Sequence, residues 1–336
     1  MSFSSVGDLS STLRFRYLDA RVSKRLRELS QEVVSGTASD ITKKIDGGVD
    51  LLGDLQRSAA LLKTYQQNGT EMSTRGQAMQ VALEKLQNGA QKLGHTLAIH
   101  MGPTTQTSIF VETRAAENGF RAAIGTLNTQ IAGQTLFSGQ AFQSPAVKSA
   151  DKILDDLQAL TAGAVSASQV QSILDRYFDD PAGGYMSGAY LGTGRTANPV
   201  RISETESASF PQTAADPKIR KALKGMAMAA LLGRGVLSGR NAEKSRLLAQ
   251  AGTILMTAND GLTSMRASIG VQQERIDTVR AENSARASKT QSRISDMISV
   301  DGYKAATDFK AAQLQLESLF VTTSRLSKLS LTNYIR

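Results

Sequence analysis

Cysteine and tryptophan are both absent from the 336 residues, and histidine occurs only twice, at His95 and His100. Without thiols there are no disulfides, no Cys-ligated zinc, no iron–sulfur cluster and no thiol nucleophile. The two histidines are five residues apart, off the i, i+4 spacing of a helical zinc pair, and supply little for acid–base chemistry. Aromatic residues make up 5% and proline is limited to six positions, which argues against an all-β sandwich. No run reaches the ~18 apolar residues that a membrane span needs. The opening Met1-Ser-Phe-Ser-Ser-Val-Gly-Asp-Leu-Ser has neither the positive n-region nor the apolar h-region of a secretory signal.

Hydrophobic residues, at 40%, suffice for a buried core. Lysine and arginine number 39 against 30 acids, a net charge of +9. The bases are interleaved with acids, as in Glu274-Arg275, Asp277, Arg280 and Glu282. That pattern fits salt-bridged helix faces better than the clustered cations of a nucleic-acid surface.

Both ends of the chain read as narrow-seamed helices. Leu9, Leu13, Tyr17 and Leu18 start an amphipathic pattern, and Val22, Leu26, Leu29 and Val33 continue it at gaps of 4, 3 and 4. Ser35-Gly36 stops it. At the other end Ala305, Phe309, Ala312, Leu316, Leu319, Thr323, Leu326 and Ser330 recur at gaps of 4 and 3, with Phe320 and Leu329 widening the stripe. Such gaps mark a coiled-coil seam, and one seam cannot cover all the apolar surface of these helices. The assembly residues expected from this pattern are Leu13, Val22, Leu26, Leu29, Val33, Phe309, Leu316, Leu319, Leu326 and Leu329.

Between the ends, residues 36–50 read as a loop, and helices are expected from Leu51 to Leu97 and from about 105 to Phe137, parted by Met101-Gly102-Pro103. Asn-Gly at Asn68, Asn88 and Asn118 lacks the alternating flanks of a hairpin, so these read as helix interior. Five of the six prolines lie between 139 and 240. Two short helices are expected there, near 149–162 and 167–178, then a turn at Asp180-Pro181 and short strands near Val200–Ser203. Asp216-Pro217 opens a further helix. The pattern from Ala242 to Ser299, if continuous, makes a helix on the order of 85 Å long, broken at Asp301-Gly302. The fold class is therefore mainly α, a long antiparallel helical rod or coiled coil of the two terminal regions with a small α+β insert. The expected divisions are 1–36, 37–139, an outer insert at 140–213, 214–300 and 301–336.

Ser292-Arg293-Ile294, Ala305-Ala-Thr-Asp-Phe309, Ala312-Gln-Leu-Gln-Leu316 and Leu329-Ser-Leu-Thr-Asn-Tyr334-Ile335 resemble the carboxyl-terminal region of the bacterial flagellin family. Arg266-Ala-Ser-Ile269-Gly270 and Gln273-Glu-Arg275-Ile276 are similar to the family's preceding helix. The final string, with Gly133-Gln134-Thr-Leu136-Phe137-Ser138-Gly139 and Asp216–Leu223, is closest to the hook–filament junction members. At 37–50 the sequence departs from the family, lacking its Arg-Ile/Val-Asn and Asp-Asp pattern after Ser35-Gly36.

The resemblance implies a secreted structural subunit of the extracellular flagellum. It would leave by the flagellar type III export channel and act as hook–filament junction adaptor, with terminal helices that order on assembly. The implied partners are the first hook-associated protein (FlgK), flagellin and copies of itself in a ring, with room for a flagellar export chaperone. Neither nucleic-acid binding nor membrane insertion is implied, and no catalytic, cofactor or metal site. The alternatives are filament flagellin and, from another class, a basic coiled-coil protein that binds DNA or membranes. Asp151, Asp155 and Asp156, and Asp175, Asp179 and Asp180, lack the glycine and closing Glu of a calcium loop and read as solvated faces and caps. Gly192-Thr-Gly194 is too sparse for a nucleotide loop.

Overall fold

A computed structural model describes residues 6–98 and 106–334, the side chains of 6–9, 11–12, 106 and 326–334 excepted. The elements are α1 (Val6–Ser35), α2 (Ile41–Ile45), α3 (Val49–Ala98), α4 (Gln106–Leu127), β1 (Gln130–Ile131), β2 (Gln134–Thr135), α5 (Ala150–Thr161), α6 (Ala167–Phe178), a π-helical turn at Tyr185–Ala189, β3 (Val200–Arg201), β4 (Ser207–Ala208), α7 (Pro217–Gly233), α8 (Asn241–Ile298) and α9 (Gly302–Tyr334). The mainly α class, with long antiparallel helices, is as the sequence indicates. The chain divides into two compact units, 64–283 and the remainder at both ends.

In the unit of residues 64–283, α3 and α8 run antiparallel. Gln80 Nε2 donates to the Arg266 carbonyl at 2.7 Å, and Gln87 Nε2 donates to Asn259 Oδ1 at 3.0 Å and Thr263 Oγ1 at 2.8 Å. Their buried faces explain the pairing. Met79, Leu83, Leu86, Ala90, Leu93 and Leu97 recur at gaps of 4 and 3, opposite Leu248, Ala251, Leu255, Ala258, Leu262, Met265 and Ile269 with the same spacing. Glycines let the helices approach closely. A Cβ on Gly252 would lie 2.8 Å from the Ala98 nitrogen and 3.2 Å from the Gly94 carbonyl oxygen.

Helix α7 is buried on all sides from Ala222 to Leu232 and packs against α4, α5 and α6. Asp216 caps it, its carboxylate accepting from the Lys218 amide at 2.8 Å, and Pro217 occupies the first turn. Two of its buried side chains are cationic, and both find partners. Lys224 Nζ reaches Asp175 Oδ1 at 2.7 Å and also Asp179, while Arg220 donates to the Phe178 carbonyl. These contacts fix the end of α6 against α7.

The segment 140–213 shares this core rather than forming one of its own: Ile153, Leu157, Val170, Phe178, Tyr185 and Ile202 belong to the same apolar cluster as Phe120 and Leu231. Its β3–β4 hairpin is tied to both long helices. Asn68 Nδ2 donates to the Arg201 carbonyl at 2.8 Å and the buried Asn283 Nδ2 donates to the Ile202 carbonyl at 2.7 Å.

Two expectations change. The helix from 105 does not extend to Phe137. It ends at Leu127, because Asn128 turns its amide to Val147, exchanging two hydrogen bonds at 2.9 Å, and Ala132 and Gly133 take positive φ values of 49° and 75° to close the β1–β2 hairpin. Residues 36–50 are not all loop: the Asp40 side chain caps α2 by accepting from the Lys43 amide at 3.0 Å, and α3 begins at Val49. Asn68, Asn88 and Asn118 all lie within helices. The expected break at Met101-Gly102-Pro103 lies outside the described residues.

The substitution Gly252→Ala tests the helix approach. Helix propensity alone favours alanine by about 1 kcal/mol, but here the new methyl meets backbone, and overpacking of that kind costs roughly 1–3 kcal/mol. A lowered urea midpoint with unchanged slope is the expected result; a raised midpoint contradicts the tight approach.

Candidate assembly interface

The terminal unit begins from a corner at which α1 ends and α9 begins. Ser35-Gly36 stops α1, with Gly36 at φ +68°, a conformation glycine adopts without strain. The chain then crosses residues 298–300 in a short antiparallel contact. Ala38 N–H donates to the Ile298 carbonyl at 2.8 Å, Val300 N–H donates to the Gly36 carbonyl at 2.9 Å, and Thr37 faces Ser299. Asp301 starts α9 by accepting from the Tyr303 and Lys304 amides at 2.9 and 3.1 Å. Glu32 braces the corner from α1: its carboxylate accepts from the Ser39 hydroxyl at 2.7 Å and the Ser39 amide at 3.1 Å. The Ser39 hydroxyl holds the Glu32 carboxyl below its usual range, with Arg25 and Lys44 adding to the effect.

From this corner α1 and α9 run side by side in opposite directions and pack together. Their seam is thin. Among the described side chains of the pair, the buried apolar ones are Val22 and Leu29 on α1 and Ala305 and Ala312 on α9. Of the expected assembly residues, Leu26, Phe309, Leu316 and Leu319 are half-buried, and Leu13 and Val33 are exposed. Leu326 and Leu329 lie on α9, but their side chains are outside the described residues. The pair also exposes Tyr17, Val34, Tyr303, Leu314, Phe320 and Val321. Sequence reading missed Val34, Tyr303, Leu314 and Val321 because they fall off the heptad positions. An open apolar groove along α9 is lined by Tyr303, Ala306, Thr307, Lys310, Ala311 and Leu314.

The acidic clusters are structural. Arg234, mostly buried, reaches Glu117 at 3.1 Å, Asp151 at 3.2 Å and Asp155, while Arg121 bridges Glu117 and Asp151 at 2.8 Å each. The network fastens α4, α5 and the end of α7, and the Arg121 hydrogen bond holds the Asp151 carboxyl below its ordinary range. Asp175 and Asp179 hold Lys224, and Asp180 accepts from the Ala182 amide at 2.8 Å. Asp156 and His95 are exposed, and His100 lies outside the described residues. Gly192 sits where a Cβ would meet the Tyr190 hydroxyl and the Ser138 carbonyl, so it serves a tight turn. Among the described residues, no group of three His, Cys, Asp or Glu could hold a metal ion, and no helix is long and apolar enough to cross a membrane.

Residues 252–335, the greater part of α8 and all of α9, match the family model for the bacterial flagellin C-terminal helical region. The fold is similar to a solved structure assigned as a flagellar hook-associated protein from Vibrio parahaemolyticus, with a TM-score of 0.53 at 13% identity over 73% of this chain and 95% of that one. No curated protein matches in a sequence comparison. The resemblance of the carboxyl-terminal residues to that region of flagellin is thereby borne out.

The corner carries a pH prediction. A carboxyl whose folded pKa is depressed contributes stability above its unfolded pKa and loses that contribution as pH falls through the folded pKa. Protection of the Ala38 and Val300 amides from hydrogen exchange should therefore hold at neutral pH and decline below about pH 4. In Glu32→Gln the acid-dependent step should disappear. An unchanged step in that variant contradicts the bracing role.

Proposed function

Proceeding from the flagellin-type carboxyl terminus of this chain, we propose that it is a structural subunit of the bacterial flagellum placed at the hook–filament junction, where it adapts the hook end to the filament. The exposed apolar side chains of the α1–α9 pair carry this reading. Side chains such as Phe320 and Leu314 are 60% and 61% exposed in the single chain and would be covered by helices of neighbouring subunits. The role is architectural and no reaction is catalysed. Export through the flagellar channel would deliver the chain to the extracellular flagellum. Its neighbours would be FlgK on one side, flagellin on the other and copies of itself around a ring, with a chaperone attending export.

The match at 252–335 favours filament flagellin as a second reading, since that helical region is described for flagellin itself. Deletion separates the two. A strain lacking a junction subunit still makes and exports flagellin but sheds it as unassembled monomer. A strain in which flagellin vanishes altogether contradicts the junction reading.

Phe320→Asp tests the surface. An exposed position should change monomer stability by no more than about 0.5 kcal/mol, yet an assembly contact would be lost. The expected outcome is an unchanged melting curve with failure to rescue filament attachment in the deletion strain. Full rescue would remove Phe320 from the interface.

A further inference from the structure

The charge of the molecule is unevenly placed. Residues 1–63 and 284–336 hold 18 Lys and Arg against 12 acids, which is +6 of the total +9. The densest stretch is on α1, where Arg14, Arg16, Arg21, Lys24, Arg25 and Arg27 accompany a single acid, Asp19, between positions 14 and 27. All six bases are exposed. Arg14, Arg21 and Arg25 follow one another at 7 and 4 residues and so share one helix face. Leu13, Tyr17 and Lys24, at 4 and 7, border it, and Leu13 and Tyr17 are 59% and 67% exposed.

Little in the terminal unit neutralises this face. Among the described residues, the ion pairs of this face are two long contacts that share the half-buried Glu28 carboxylate, Lys24–Glu28 at 3.8 Å and Arg25–Glu28 at 3.7 Å. Helix α9, against which α1 packs, has only Asp308 and Glu317 as acids, beside Lys304, Lys310, Arg325 and Lys328. Two copies of the α1 face brought together would set like charges opposite one another and pay for it in repulsion. An acidic helix with apolar residues at 3–4 spacing would cover Leu13 and Tyr17 while pairing the arginines.

We propose that the face of α1 formed by Leu13, Arg14, Tyr17, Arg21, Lys24 and Arg25 is a docking surface for an acidic amphipathic helix of a different protein, and that the same charge keeps this face from pairing with the same face of a second copy. Specificity here has an attractive and a repulsive part. The proposal rests on the reading of the α1–α9 pair as an assembly surface and adds the chemistry of its partner.

The test uses the full chain and two labelled synthetic helical peptides, one with leucine heptads flanked by glutamate and one with the same heptads flanked by lysine. Fluorescence anisotropy should show the glutamate peptide binding about tenfold or more tighter, with the preference shrinking as salt rises toward about 0.5 M. The triple variant Arg14→Glu/Arg21→Glu/Arg25→Glu should invert the preference. Arg14→Gln/Arg21→Gln/Arg25→Gln should abolish it and serves as the second readout if circular dichroism shows the charge-reversed chain unfolded. Equal binding of both peptides, a preference that survives in the glutamine variant, or tighter binding to phosphatidylglycerol vesicles or duplex DNA than to the glutamate peptide overturns the proposal. If the peptide preference fails while a deletion strain still sheds exported flagellin, only the partner's chemistry falls. If that strain keeps its filaments, the assembly reading itself falls.

Discussion

Two helices lying side by side can hide only the strip of each that faces the other, and the account of this protein depends on that geometry. In the α1–α9 pair the strip contains two large side chains, Val22 and Leu29, and two alanines, Ala305 and Ala312. Burying the two large ones contributes roughly 1.5–3 kcal/mol each. Helices of 30 and 33 residues must be held in place for that return, and helical stability in proteins comes mostly from tertiary packing. The leftover apolar surface is a demand that more helices at the same site would meet. Both terminal helices arise at one corner, where Gly36, the Glu32–Ser39 contact and the Asp301 cap fix the chain path.

Residues 64–283 answer the same packing problem differently. There α7 is wrapped on every side from Ala222 to Leu232, its two buried cations reach oxygen partners, and α3 and α8 close on each other through Gly94 and Gly252. Buried charges are tolerated only when paired and hydrogen-bonded, and Lys224 with Asp175 and Asp179 meets that condition. Residues 64–283 share one continuous apolar core, although Phe110, Val111 and Val271 stay exposed on it, whereas the α1–α9 pair buries four of its described apolar side chains, and this difference in core sets the two units apart.

The helices were legible because their ends are marked by residues with strong local chemistry. Gly36 stops α1, Asp216-Pro217 opens α7, and Asp301 starts α9. What was not legible lay where local preference and actual conformation part. The turn at Ala132-Gly133 places alanine, a good helix former, at positive φ, so the helical pattern seemed to run on to Phe137. The seam between α3 and α8 was partly hidden because Ala90, Ala251 and Ala258 fill heptad positions that a search for large apolar residues passes over. At the terminal helices the heptad pointed to Val22 and Leu29, but which flank of α1 meets α9 depends on the partner helix. Leu13 and Val33 therefore sit outside the seam in the single chain, and Val34, Tyr303 and Leu314 are visible as surface only in three dimensions.

The most direct measurement is amide hydrogen exchange read along the chain, once in dilute purified protein and once in intact flagella. The account predicts that α1 and α9 exchange quickly in dilute solution, while α7 stays protected, and that both terminal helices become protected in the assembled structure. Protection of α1 and α9 equal to that of α7 in the dilute protein would show that the chain already shelters its own ends, and would contradict the central claim.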